Sequence, residues 1–257
     1  MKSIITVGIL AILFSCSSHP KSDSNAQTAP LAASDTSKAQ PAAASDSINL
    51  PVQLEGDNTP ENRLSQLNDR NVFSTIQGKV LPRLPEKHQQ AIKGNPDLTL
   101  LAFATGDLFQ NNKNDYAFMV YSKQGKRIGF LLYDQQADRY RGLYDSIKVE
   151  DGLDSQECNY NCGRLDDNLA GEIAGQAGYY VKDPLSFVAN KQLKITDITK
   201  DEDIQVKNGC LSKKATKADY KNVLCIATSY IYNNWKCLRY DKTKDAFVIF
   251  FHQTYSD

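Results

Sequence analysis

The side chains best suited to chemistry in this chain are its cysteines, its histidines and one run of carboxylates. Cysteines stand at 16, 158, 162, 210, 225 and 237. Cys158-Asn159-Tyr160-Asn161-Cys162 is spaced so that its thiols can close a small loop. Thiols paired in this way belong to an oxidising compartment, where they staple a fold and do no catalysis. The three-residue gap and the distant partners differ from zinc-ribbon spacing, which argues against a metal there. A thiolate nucleophile needs a base close by. Beyond Cys16, only His252 lies near a cysteine in sequence, and its alternation with Val248 and Phe250 makes it a strand or core histidine. His88 falls on a short polar helix and is expected to be solvated. There is no Gly-x-Ser-x-Gly, no His-Glu-x-x-His and no glycine loop to cradle phosphate. No two carboxylates stand out as a glycosidase pair. The sequence therefore names no catalytic residue.

The carboxylate run is Gly106-Asp107-Leu108-Phe109-Gln110-Asn111-Asn112-Lys113-Asn114-Asp115. It resembles the loop of FG-GAP (integrin-type) repeats, roughly Gly-Asp-(Leu/Val/Phe)-Asn-Gly-Asp-Gly-x-x-Asp ahead of a strand. In that family, oxygen ligands converge on Ca2+ as the tight turn curls them inward. Carried over residue by residue, Asp107, Asn111 and Asp115 match ligand positions. Phe109 stands where an oxygen is needed, and Gln110 and Asn112 replace turn glycines. Two readings follow: aspartates that cap the turn, or a weak calcium site at Asp107, Asn111 and Asp115. The resemblance also implies a sheet related to propeller blades. One or two such units cannot close a propeller.

A second resemblance lies at the start of the chain. Lys2 precedes an apolar run from Ile4 to Phe14, the length of a signal-peptide core and too short for an ordinary membrane span. It ends in Leu13-Phe14-Ser15-Cys16, which is similar to the bacterial lipobox. That resemblance implies cleavage before Cys16, a diacylglycerol on its thiol and an acyl chain such as palmitate on its new amino terminus. Ser17 in place of Asp implies an outer-membrane destination. Several buried acyl chains would hold the protein on the membrane essentially permanently. Of the 31 residues from Ser17 to Ser47, 21 are Ala, Ser, Pro or Thr, and Leu31 is the only large aliphatic. Such a segment cannot offset its own ordering entropy. It is expected to be a tether spanning about 30 Å end to end. The expected organisation is a signal peptide over 1–15, a lipid-anchored tether over 16–59 and a single globular domain over 60–257.

The domain is expected to be α+β and mainly β, with antiparallel meanders and short N-terminal helices. Thr59-Pro60 opens a helix over about 60–70. Leu84-Pro85 opens another that runs through Lys93 and closes at Gly94 before Asn95-Pro96. Beyond it the apolar period falls from about 3.6 to 2. Strands are expected at 98–104, 115–122, 127–133 and 139–149, then 223–232, 235–240 and 247–253, with a possible helix over 166–178 between the two groups. Apolar residues on both faces of the middle strands require both faces to be covered. Leu132-Tyr133-Asp134, Asp138 and Tyr140 match Leu238-Arg239-Tyr240-Asp241, Asp245 and Phe247, and Lys113-Asn114 matches Lys221-Asn222. The match indicates either a duplicated three-stranded unit or a shared hairpin chemistry.

A two-residue turn at Asn233-Asn234 would set Cys237 opposite Tyr230 and turn Cys225 to the other face. That register predicts no direct Cys225–Cys237 bond. Cys210 would then bridge to one of them, alongside a Cys158–Cys162 loop. Tyr230, Tyr232 and Trp235, with Tyr160, Tyr179 and Tyr180, either pack within the sheet or line a recognition surface, where such rings give area at low entropy cost.

The 30 basic residues balance 30 acidic ones, which argues against nucleic acid as a partner. The function that fits is a non-enzymatic binding domain on an envelope lipoprotein, with an envelope protein or a saccharide as partner. One version is an inhibitor or immunity protein against a periplasmic hydrolase. The alternative is a hydrolase of envelope polymers. No cofactor is expected apart from the possible calcium.

Overall fold

A computed structural model of the chain describes residues 71–125, 127–153, 177–188, 192–229 and 233–253. The leader with Cys16, the tether, the helix expected over 60–70, most of that over 166–178, and Cys158, Tyr160, Cys162, Tyr230 and Tyr232 lie outside the described residues. The fold is α+β and mainly β.

The described chain opens with α1 (Val72–Thr75), which winds on through a π-helical turn (Ile76–Val80) and a 3-10 turn (Leu81–Arg83). Val72, Ile76 and Val80 recur every four residues, so they share one helical face, and all three are fully buried. Pro85 then caps α2 (Glu86–Gly94), whose amide-free ring suits a helix start. The helix stops where Asn95-Pro96 cannot continue it.

The first sheet is an antiparallel meander of β1 (Leu98–Gly106), β2 (Asp115–Ser122), β3 (Arg127–Asp134) and β4 (Arg139–Gly142), in that order. The second contains β5 (Lys148–Asp151), β6 (Leu193–Thr196), β7 (Cys210–Leu211), β8 (Val223–Ser229), β9 (Asn234–Asp241) and β10 (Ala246–Gln253). Its order is β5-β10-β9-β8-β6, with β7 also on β10. Within it, β6-β8-β9-β10 repeats the connectivity of the first sheet strand for strand. The repeated unit therefore has four strands, one more than the sequence pattern shows. The added member is the first strand of each unit, β1 at the strand expected over 98–104 and β6 where none was expected, and neither carries the matching turn residues.

The strand expected over 139–149 is two strands serving different sheets. Tyr144 adopts a left-handed φ of 65°, and the Ser146 hydroxyl accepts the Gly142 N–H at 2.8 Å. That turn sends β5 away to pair in parallel with β10.

One hydrophobic cluster joins the helices, the first sheet and one face of the second through Leu193, Leu224, Ile226, Leu238, Phe247 and Ile249. A smaller cluster on the second sheet's other face gathers Cys225, Ala227, Trp235, Cys237, Phe250 and Phe251. Both faces of the second sheet are thus covered. The sheets meet where β1 passes β6, and a Cβ on Gly106 would lie 2.5 Å from Ile195 Cγ2. Only glycine permits that approach.

The β8–β9 register corrects the sequence expectation. Asn234 begins β9, and Cys225 faces Cys237 across the ladder. Asn233 alone takes the left-handed conformation, at φ 53°. A type I′ turn needs both central residues there, so the pair could not form one. The register moves by an odd number of residues, which turns Cys225 to the same face as Cys237. They form a disulfide with a Cα–Cα distance of 4.1 Å, in place of the expected bridge from Cys210 to this hairpin. Cys210 is also disulfide-bonded, and not to either of these two.

Candidate functional site

The loop from Gly106 to Asp115 shows how its oxygens are used. Asp107 Oδ1 accepts the Asn111 N–H at 2.7 Å and the Asn112 N–H at 3.0 Å. Asp115 is fully buried, and its two oxygens accept the N–H groups of Phe109 and Gln135, each at 3.0 Å. Burial raises the Asp115 pKa above the ordinary carboxylate value. Asn111 Oδ1 accepts the Lys113 N–H at 3.0 Å. These groups act as turn caps. Phe109, at the position that departs from the family pattern, packs edge-on against Tyr240 and Phe247 with ring centroids 5.0 and 5.9 Å away. The loop clasps the second sheet, and a core ring occupies the place of a ligand oxygen. Among the described residues, no group of three or more His, Cys, Asp or Glu side chains is arranged to hold a metal ion.

The two Tyr-Asp-x3-Asp turns build the same device. The first aspartate caps its own turn: Asp134 Oδ1 accepts from Gln136 and Ala137, and Asp241 Oδ1 accepts the N–H and hydroxyl of Thr243. The second sits left-handed, Asp138 at φ 51° and Asp245 at φ 48°, and accepts the hydroxyl of the tyrosine five residues earlier. A cation from an element distant in sequence completes each site. Lys87 of α2 pairs with Asp138, and Arg141 of β4 pairs with Asp245. Their hydrogen bonds hold both carboxyls below the usual range. The sequence shows the aspartates and tyrosines through their repeat. It gives no sign of Lys87 or Arg141, because no local spacing links them to their partners.

His88 corrects another expectation, for it is only 3% exposed. It sits in a nest of rings formed by Tyr116, Phe118, Tyr133 and Tyr140. Its Nδ1 lies 2.6 Å from the Tyr140 hydroxyl. Burial, aided by the Lys87 charge, lowers its pKa to about 4. The helix that carries it is polar in composition, but His88 and Ile92, four residues apart, form its buried stripe. His252 is buried in β10 as expected, and burial with the Lys236 charge lowers its pKa to about 4.

Trp235 is 1% exposed and belongs to the second core, so it does not line a surface. Its Nε1 donates to Asn233 Oδ1 at 3.0 Å, and Lys194 Nζ stands 4.9 Å from its ring centroid. Lys194 also pairs with Asp201 and Asp203 at 2.8 and 2.7 Å. Beside this network runs a cleft of about 340 Å³ between β1 and β6, bordered by Phe103, Thr105, Leu193 and Ile195. A second cleft, of about 420 Å³, lies between α1, α2 and the start of β1, with Lys93 and Lys123 on its rim.

The described residues define an α+β domain of two linked four-stranded meanders whose charged groups mostly hold turns and join elements. Neither a protein-family model, nor a curated protein, nor a solved structure matches this chain.

Proposed function

We propose that the chain is a lipoprotein of the bacterial envelope, held on the outer membrane through acylated Cys16, whose β domain acts by binding an envelope partner. The observation that carries this reading is the buried Cys225–Cys237 disulfide. Such bonds form and persist outside the reducing cytosol, which is where a leader ending in Leu13-Phe14-Ser15-Cys16 would deliver the domain. Binding is favoured over hydrolysis by the work the turn carboxylates already do. Asp107, Asp115, Asp134, Asp138, Asp241 and Asp245 each accept hydrogen bonds that shape the fold.

Two measurements test this proposal. Radiolabelled palmitate should enter the wild-type chain and not Cys16→Ala; equal labelling of both overturns the anchor. Native capture from solubilised envelopes should yield a partner, a protein or a glycan, whose binding is saturable when reconstituted from pure components. Hydrolysis of purified envelope polymer by the pure domain would overturn the binding role.

A further inference from the structure

The two meanders differ most at one place. β1 and β2 are joined by the eight residues 107–114, whereas the equivalent β6 and β8 are joined by the 26 residues 197–222. This insertion forms a layer over the outer face of the second sheet. Ile198, Ile204, Val206, Leu211, Ala215 and Tyr220 turn inward onto the smaller core. β7 pins the layer to β10, and Tyr220 stacks on Phe250. A capping box between Thr216 and Asp219 fixes its last turn, the 3-10 segment Lys217–Tyr220.

The outward side of this layer carries Lys207, Lys213, Lys214, Lys217 and Lys221, all exposed. Four of the insertion's five acids pair with other cations. Asp201 and Asp203 are taken by Lys194, Asp219 by Arg239 at 3.1 Å and Asp197 by Lys200 at 3.8 Å. Glu202 is left as the remaining acid of the segment. Lys207, Lys214, Lys217 and Lys221 have no carboxylate at ion-pair distance among the described residues. A chain whose formal charge is zero thus places five exposed lysines and one acid between residues 207 and 221 of a layer packed on the second sheet. In sequence the acids Asp197, Asp201, Glu202 and Asp203 come first, and only Asp219 lies among the lysines from 207 to 221.

Extending the proposed anchoring, we propose that this lysine face docks the domain onto the phosphate headgroups of the membrane that holds Cys16. Phosphate is the matching chemistry because ammonium groups bind it as point charges without needing a shaped pocket. The membrane is the favoured source because the tether keeps it within about 30 Å, which makes the encounter effectively intramolecular. Lysines near an anionic bilayer each add attraction that fades beyond a Debye length of about 8 Å at physiological salt.

The test uses the mature chain, residues 16–257, with Cys16→Ala, so that no acyl group contributes. Its co-sedimentation is measured with phosphatidylcholine vesicles that contain or lack phosphatidylglycerol. Binding is expected only to the anionic vesicles and should weaken steeply with salt. Changing Lys214, Lys217 and Lys221 together to Glu should weaken it at least about tenfold, while Arg at the same positions preserves it. Unchanged binding by the Glu variant, or equal binding to both vesicles, overturns the proposal. So does release by inorganic phosphate beyond that caused by chloride at equal ionic strength, which would indicate a free-phosphate site. Binding to soluble polyglutamate as tight as to vesicles would indicate an acidic polymer as partner, and also overturns it. Palmitate labelling reads the anchor separately. Label without vesicle binding removes the docking face alone, and absent label removes the anchor.

Discussion

Arg141 grips Asp245 at two points across the sheets, Nη1 to Oδ1 at 2.6 Å and Nη2 to Oδ2 at 2.8 Å. Arg141 is 7% exposed and its partner 55%. The third contact of the arginine, Nη2 to the Ser146 carbonyl at 2.9 Å, braces the turn that sends β5 to the second sheet. One guanidinium therefore fixes both the sheet-to-sheet docking and the departure of β5.

The asymmetry in exposure sets the expected energetics. Asp245→Asn tolerates the left-handed backbone and can still accept from Tyr240, but leaves the arginine charge buried without its counter-charge. Unpairing a buried charge costs several kcal/mol, discounted here because the site opens to water on the aspartate side. We expect a loss of about 2 kcal/mol in urea unfolding. A double-mutant cycle with Arg141→Gln should give a coupling of about 1 kcal/mol or more. Coupling near zero would mean that the sheets dock without the pair.

The Cys225–Cys237 bond closes a loop across a sequence separation of 12. In the chain-entropy model a loop of this size is worth about 3 kcal/mol. Both sulfurs are buried among apolar groups, so Cys225→Ala with Cys237→Ala should lower stability by roughly that amount without adding a polar penalty. Non-reducing peptide mapping of the exported protein should recover 225 linked to 237. Free thiols at both positions would contradict both the bond and the compartment it implies.

Residues whose signal is local account for what the sequence revealed. Pro85 and Asn95-Pro96 bracket α2, alternating side chains mark β2 and β3, and the repeated Tyr-Asp-x3-Asp marks two hairpins. What stayed hidden depends on partners distant in the chain. His88 looks polar until the rings of β2, β3 and β4 close over it. For Trp235 the sequence leaves sheet packing and a recognition surface both open, and the 197–222 layer that covers it decides for packing. The hairpin register at Asn233-Asn234 depended on one left-handed residue where a tight turn requires two. Phe109 looked like a defect in a calcium loop, and is instead the residue that seats the loop on Tyr240 and Phe247.

Acid should loosen the domain before it titrates the bulk of the carboxylates. His88 and His252 each have a folded pKa near 4, against 6.5 for a free imidazole. Between those values the unfolded chain binds protons that the folded chain refuses. Stability is therefore full above about pH 6.5 and is lost as pH falls toward 4. Each histidine contributes on the order of 3 kcal/mol over that window. Urea midpoints at pH 7.5 and 5 should differ accordingly, and the His88 and His252 ring protons should titrate near 4 by NMR. Titration near 6.5 would show that the rings are solvated.

Trp235 is the only tryptophan, so its fluorescence reports a single site. The indole is buried against Phe250 and Phe251 in the smaller core, donates to Asn233, and has the Lys194 ammonium over one face. Emission from the folded chain should be blue-shifted relative to the denatured chain and insensitive to iodide, because no quencher reaches the ring. Trp235→Ala should cost about 4 kcal/mol, as for other large buried aromatics, by leaving a cavity and removing the partner of Lys194. Trp235→Phe should cost less, since it keeps most of the volume. Iodide quenching comparable to that of free tryptophan, or an alanine variant as stable as wild type, would return Trp235 to the surface and undo the layered arrangement that buries it.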